Sequence, residues 1–440
     1  MATTPEHLGQ LKDTTEETQI TTDLRADLRE LATREADPEH PYLTITLDYR
    51  PDGFRPNMRI GMQWLDEQEQ LLREQYGPRG PQYDAVIAGL ASLRETLGAM
   101  EDPQPQGVIA VMQPGADYAL VLPLAVAPEN RIGVGPTPDL FEIARVQDVA
   151  EPFAVLLADS KQAFLHIFTL GTRERDVEMH GGSKGGNVNP GAKSAGLGER
   201  NALNAAEQEL ANFAKGIAEA ARTMIVAEGV HRLIVMADDQ LTSTLMEHFP
   251  REIGDLVIGT AKADIRSTPD LLYELATPIV QEAERQQEVD LCEELATAAL
   301  SAQAYGVYGA AGTLAALQSG QVQTLIVAED FTAPAWVDDA LMFVGLGEMP
   351  GEHPMGGDLT DLRAADAREE FVRLALTMGA DGIEFVPLMD DAPVTETVNE
   401  AEGITAGERG GAIARLRDEG GVGALLRFAL APDQAVANVE

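Results

Sequence analysis

The chain has 440 residues, 44% of them hydrophobic, more than one ordinary core needs and enough for about three domains. It carries 72 Asp and Glu against 32 Lys and Arg, a formal charge of −40, and only six of the cations are Lys. That balance excludes a protein that wraps bare nucleic acid, DNA included, through a basic face, and Lys scarcity beside such acidity is the composition of a salt-adapted protein.

Residues 1–38 read as an acidic arm, in which Thr21, Thr22 and Asp23 can cap a short helix running to Ala32. From Tyr42 to Leu47 the chain alternates as a period-2 strand, and Asp52-Gly53 marks a turn. Ile60, Trp64, Leu65, Leu71 and Leu72 have helical spacing, ended by Pro78-Arg79-Gly80-Pro81. A second helix follows on Val86, Ile87, Leu90, Leu93 and Leu97, then strands over 107–113 and 118–124. Gly133-Val134-Gly135-Pro136 reads as a turn, and the first domain spans 39–148.

The second domain, 149–285, opens with strands over 153–158 and 163–170 and a turn between them. Residues 171–200 read as one long Gly-rich loop containing Gly181-Gly182-Ser183-Lys184-Gly185-Gly186. A loop of that length and composition is functional or disordered rather than core. Its charge sums to +1, with Arg173, Arg175, Lys184, Lys193 and Arg200 against Glu174, Asp176, Glu178 and Glu199. A strong helix leaves it through Leu203, Leu210, Phe213 and Ile217. A buried strand over 233–237, a helix over 241–249 and a strand over 256–260 come next, and a long helix from Thr268 leads into the third domain, 286–440. There, helices over 310–319 and 364–378 alternate with strands over 322–329, 382–387 and the last turn-and-strand at 420–428. Residues 345–360 form a Gly- and Pro-rich insertion. The expected class is α/β, with an α+β first domain, a mixed-sheet middle domain and a three-layer C-terminal α/β domain.

Local motifs assign no catalytic residue, cofactor or metal. The Gly run lacks the G-x-x-x-x-G-K-[ST] spacing that lets backbone N–H groups cradle phosphate. The seven histidines form no H-x-x-x-H pair, and Cys292 sits in an amphipathic stretch, as a core thiol does. Asp238-Asp239 at a strand end reads as a solvated turn. No window is apolar enough for a membrane span, and the polar N-terminus has no secretory h-region, so the expected location is cytoplasmic.

The order of segments over residues 40–430 resembles the archaeo-eukaryotic class-1 release factor and Pelota superfamily, in its bacterial branch. In the third domain the resemblance rests on residues 309–317 leading to Leu325-Ile326-Val327-Ala328-Glu329, on Met378-Gly379-Ala380 before Ile383-Glu384, and on Gly420-Gly421-Val422-Gly423-Ala424-Leu425-Leu426-Arg427-Phe428. Residues 196–203 stand where release factors carry Gly-Gly-Gln, the tip that helps water attack peptidyl-tRNA. This sequence has no Gln between Gln162 and Gln208. Where release factors read stop codons through Asn-Ile-Lys-Ser, it has Tyr76-Gly77-Pro78-Arg79-Gly80-Pro81.

A homologue without either determinant is similar to the Balon-like ribosome-hibernation factors. The resemblance implies a protein, not an enzyme, that occupies the ribosomal A site and arrives with EF-Tu. The tip would meet rRNA through Gly181, Gly182, Lys184, Gly185, Gly186, Asn187, Asn189, Lys193, Gly196, Gly198 and Arg200. Glycines there allow close backbone approach, and the cations offer phosphate contacts. Tyr76, Gly77, Arg79 and Gly80 would face the decoding region, and the third domain would dock a partner protein or the ribosomal stalk base. Two other readings stay open. One is a peptidyl-tRNA ester hydrolase in which Ser183, Asn187 or Asn189 positions water; the other is a non-ribosomal binding protein on the same fold.

Overall fold

A computed structural model describes residues 24–34, 37, 40–53, 55–76, 81–98, 106–114, 118–124, 127–149, 151–159, 161–169, 172–180, 197–227, 230–301, 304–387 and 406–429. By contact density the chain forms two compact units. Among the described residues one lies within 150–284 and the other within 21–149 and 285–440.

The first segment of the larger unit runs α1 (Leu24–Ala32), β1 (Tyr42–Asp48), β2 (Pro51–Asp52), β3 (Arg55–Arg59), α2 (Ile60–Tyr76), α3 (Pro81–Gly98), β4 (Gly107–Gln113), β5 (Tyr118–Leu124), β6 (Arg131–Gly135) and α4 (Phe141–Val149). Strands order β5-β4-β1-β6, all antiparallel. Leu43, Ile45 and Leu47 share one face of β1 and pack against Leu65, Leu90, Leu93 and Leu97 of α2 and α3. The alternation in β1 suggests a wet face, yet all seven residues are buried. Thr44 and Thr46 are satisfied locally. Thr44 Oγ1 accepts the Asp139 N–H at 3.1 Å, and Thr46 Oγ1 donates to the Glu129 carbonyl at 2.6 Å. The 133–136 segment is not a turn: Gly133 and Gly135 lie in β6, paired to β1. Glycine is required at 133 because a Cβ would run into the Asp139 carboxylate.

The smaller unit contains β7 (Phe153–Ala158), β8 (Gln162–Thr169), β9 (Thr172–His180), α5 (Leu197–Ala227), β10 (Arg232–Met236), α6 (Asp239–His248), α7 (Arg251–Gly254), β11 (Val257–Ala261) and the first half of α8 (Pro269–Leu300). Its sheet orders β11-β10-β7-β8-β9; β10 is parallel to β7 and β11, whereas β8 is antiparallel to β7 and β9. Ala154 and Leu156 face α5 and α6; Phe153, Val155 and Leu157 face α8. Burial on both faces explains why β7 is apolar throughout rather than alternating.

The second half of α8 begins the other segment of the larger unit. It continues with β12 (Gly306–Tyr308), α9 (Ala310–Gln318), β13 (Val322–Ala328), β14 (Pro334–Asp338), β15 (Phe343–Leu346), β16 (Leu362–Asp366), α10 (Ala367–Thr377), β17 (Gly382–Val386), α11 (Ala406–Asp418) and β18 (Val422–Leu426). The main sheet orders β12-β18-β13-β17, with β13 parallel to β17 and antiparallel to β18. A separate three-stranded sheet orders β15-β14-β16. Residues 364–366, expected as the start of a helix, belong instead to β16, and Asp366 caps α10 by accepting the Arg368 N–H at 3.1 Å. The expected first and third domains thus keep separate sheets inside one compact unit.

Candidate functional site

The expected tip is carried by β9 and α5. The reading of 171–200 as one loop needs correction at both ends, because Thr172–His180 is a strand and α5 already begins at Leu197. Charged residues hid the strand: Arg173, Arg175 and Asp176 look like solvated loop, but they pair along β8, with Glu174 at a register shift. The ladder closes with His180 opposite Gln162. Chain leaving β9 therefore departs from the end of the sheet that holds the β7–β8 turn. That turn is fixed by Asp159, whose Oδ1 accepts the N–H groups of Lys161 and Gln162 at 2.7 and 2.9 Å.

On the return side, α5 has 31 residues. At about 1.5 Å rise per residue it is a rod on the order of 45 Å long. Ala214, Ile217, Ala218, Ala221 and Ile225 anchor its later turns on the sheet. Gly198 and Arg200 fall in the first turn of that rod. Gly181, Gly182, Lys184, Gly185, Gly186, Asn187, Asn189, Lys193 and Gly196 lie outside the described residues, as do Gly77, Arg79 and Gly80. Tyr76 is the last residue of α2.

At the other end of the same sheet, Arg232 opens β10 and bridges Glu284 at 2.6 Å and Glu151 at 3.3 Å. These two acids stand beside the two points where the chain enters and leaves the smaller unit. Burial, only partly offset by Arg232, raises the pKa of Glu284. Asp238 Oδ1 caps α6 by accepting the Leu241 N–H at 2.9 Å, while Asp239 pairs with Lys262. Cys292 is buried, and desolvation pushes its thiol up to about 11, which leaves it an inert core group at neutral pH. Among the described residues no group of three or more His, Cys, Asp or Glu could hold a metal ion, and no helix is long and apolar enough to cross a membrane.

Sequence reading missed a buried charge cluster in the larger unit. Glu369 of α10 accepts the backbone N–H groups of Leu140 and Phe141 at 2.6 and 2.8 Å, capping α4 from more than two hundred residues away. Its other oxygen takes Arg131 at 3.1 Å. Arg373 donates to the carbonyls of Ala32 and Pro138, and Asp148 accepts the Phe385 N–H at 3.0 Å. Desolvation, with the Asp139 carboxylate close by, pushes Glu369 up to about 7; burial likewise raises Asp139. The cluster joins the first and last segments of the unit. Its only sequence signal was the acidic pair Glu369-Glu370 inside an otherwise amphipathic helix.

Residues 138–288 match the model of the Bacterial archaeo-eukaryotic release factor family 10. No curated protein matches the chain. Solved structures similar to it include the archaeal translation termination factor aRF1, at 17% identity over 92% of this chain and 97% of that one, with a TM-score of 0.23. Dom34 of S. cerevisiae, a translation termination-like factor, is 12% identical over 74% of this chain and 82% of its own, with a TM-score of 0.36. Ribosome-bound archaeal Pelota, in an assembly with ABCE1, is 14% identical over 92% and 95%, also at 0.36. The matched residues 138–288 take in α4, the whole five-stranded sheet, both segments that carry the expected tip, and the first part of α8, so it is this stretch of the chain that is similar to the bacterial archaeo-eukaryotic release factors.

Proposed function

We propose that the protein is a translation factor of the hibernation or stress type that occupies the ribosomal A site without hydrolysing peptidyl-tRNA. The observation that carries this reading is the family match over residues 138–288, in a chain whose 163–207 stretch contains no Gln. Water attack on the ester relies on the tip glutamine in the release-factor mechanism, and that side chain is missing. The local charge of +1 across 171–200, in a chain of −40, supports an approach to rRNA by this segment alone. Lys184, Lys193 and Arg200 then contact phosphate, and the glycines allow backbone to come close. Tyr76 to Pro81 faces the decoding region, and EF-Tu delivers the factor. The three sheet-bearing segments 39–148, 149–285 and 286–440 act as the decoding, tip and partner-docking parts.

Cosedimentation with 70S particles from stationary cells, at the salt of the host cytoplasm, tests the reading. Deleting residues 181–196 is expected to weaken binding at least tenfold and leave the unfolding of the larger unit unchanged. Protein absent from the ribosomal pellet yet abundant in the supernatant would sink it. Peptide release from loaded ribosomes is expected to stay at background; release that vanishes in Asn189→Ala would make the protein a hydrolase instead.

A further inference from the structure

The small sheet β15-β14-β16 carries a feature that would specify the partner-docking role proposed for residues 286–440, and the inference rests on that reading. Fifteen large apolar side chains are exposed among the described residues, and five of them fall in the two loops of this sheet: Leu341, Met342, Met349, Met355 and Leu359. Such clustering separates a patch from the singly scattered exposed apolar residues of any surface. Met342 is 85% exposed and the others lie between 41 and 54%.

These loops are held, not loose. Asp338, at the end of β14, is buried. Its Oδ1 accepts the Leu341 N–H at 2.9 Å, which fixes the first loop. Its Oδ2 lies 3.0 Å from Nε2 of the buried His353 side chain in the second loop. Nδ1 of the same ring accepts the Met355 N–H at 3.2 Å, so Nε2 carries the proton and donates to Asp338. Leu341 and Met355 are thus fastened to one carboxylate from two sides, the second through a single imidazole. Beneath them Trp336 packs on Phe343 and directly over Gly345, where a Cβ would overlap the indole. Gln318 of α9 donates to the Val344 carbonyl at 2.6 Å and ties the sheet to the main domain.

Met342 sits at φ +49°, in the left-handed region. For a residue with a Cβ this conformation is strained, and Gly would avoid the strain. A bulky apolar side chain is therefore held outward, against both strain and water.

Charge narrows what could cover the patch. From Thr332 to Leu362 there is no Lys or Arg. Five exposed acids share these loops: Asp339, Glu348, Glu352, Asp358 and Asp361. Asp339 is paired with Arg363 and Asp358 caps the Thr360 N–H, whereas the carboxylates of Glu348, Glu352 and Asp361 meet no cation among the described residues. RNA and anionic lipid would be repelled, and a second copy would set acid against acid. We propose that this sheet is a docking face for a cationic, amphipathic segment of a partner protein. Leu341 and the methionines would receive its apolar side chains, and Glu348, Glu352 and Asp361 its Lys or Arg. Unbranched, polarisable Met suits a surface that adapts to such a segment.

Full-length protein labelled with 13C at its methionine methyl groups tests this. The probe is an 18-residue peptide of Leu and Lys with its leucines on one helical face; the control has the same composition with the leucines spread around the helix. The Met342, Met349 and Met355 methyl signals are expected to move together on adding the probe, with other methionines unmoved and the control at least tenfold weaker. Met342→Glu and Met355→Glu are each expected to weaken probe binding at least tenfold, and unchanged Trp fluorescence confirms that they fold. Equal binding of the control, shifts spread over methionines elsewhere, or wild-type affinity in both folded variants would overturn the proposal. So would movement of the three signals with protein concentration alone, which would identify a second copy as the occupant.

Discussion

Around Val155 the neighbours in the smaller unit are apolar, from Phe153, Leu157 and Phe168 to Ile234 and Leu272. Around Glu369 in the larger unit they are Arg131, Asp139 and the N-terminus of α4. Both places are buried, but they tolerate change differently. An apolar core loses stability in proportion to the atoms removed, because nothing is left unpaired. A buried carboxylate that satisfies two backbone donors and an Arg leaves all three stranded when it goes. The comparison teaches that the core around Val155 is held by apolar patterning, and the joint around Glu369 by a few polar atoms that cannot be removed singly.

Replacing Glu369 with Ala should give the largest effect, a loss of about 3–5 kcal/mol. Urea unfolding followed by Trp fluorescence reads it well, since Trp64 and Trp336 both lie in the larger unit. A loss under about 1 kcal/mol would show that water replaces the carboxylate and that the contrast is false. Leu156→Ala, at a position with no exposed surface, should cost about 2–4 kcal/mol. It should shift the far-ultraviolet circular dichroism transition without moving the Trp transition; a common shift would mean that the units unfold together.

The pH dependence sharpens the contrast further. The folded pKa of Glu369 is raised to about 7, above its ordinary 4.5, so folding favours its protonated form. That contribution is fully present below about pH 4.5 and is lost as pH rises through 7. Glu369→Gln keeps an oxygen for the Leu140 and Phe141 N–H groups but cannot ionise, and should flatten the fall in the Trp-detected urea midpoint across that range. An unchanged slope would assign the titration elsewhere. Leu156→Ala should leave it untouched. The smallest effect is expected from Asp238→Ala, which removes the α6 cap and should cost about 1 kcal/mol in the circular dichroism transition.

Much of the scaffold was legible in the chain. The strands at 107–113 and 118–124 lie where the sequence reading places them. The helix after Thr268 and the strand near 322 follow from apolar spacing alone. Errors fell where local pattern and tertiary role diverge. β9 was hidden because its side chains are charged although its backbone pairs, and β6 because its two glycines mimic a turn while one makes room for Asp139. Of the candidate tip, Gly198 and Arg200 are located on α5 and Tyr76 on α2, while the other residues named for the tip and decoding loops lie outside the described residues.

The sequence by itself determined the elements, the acidic balance, and the lack of a glutamine between Gln162 and Gln208, because periodicity, charge and residue identity are local properties. Only the tertiary structure decided that Glu369 would cap α4, that Arg232 would join Glu151 to Glu284, and that Asp338 would fasten two loops of methionines through His353. Each of these depends on a distance between residues that the chain order does not contain, and a carboxylate has no preferred partner until folding removes its water.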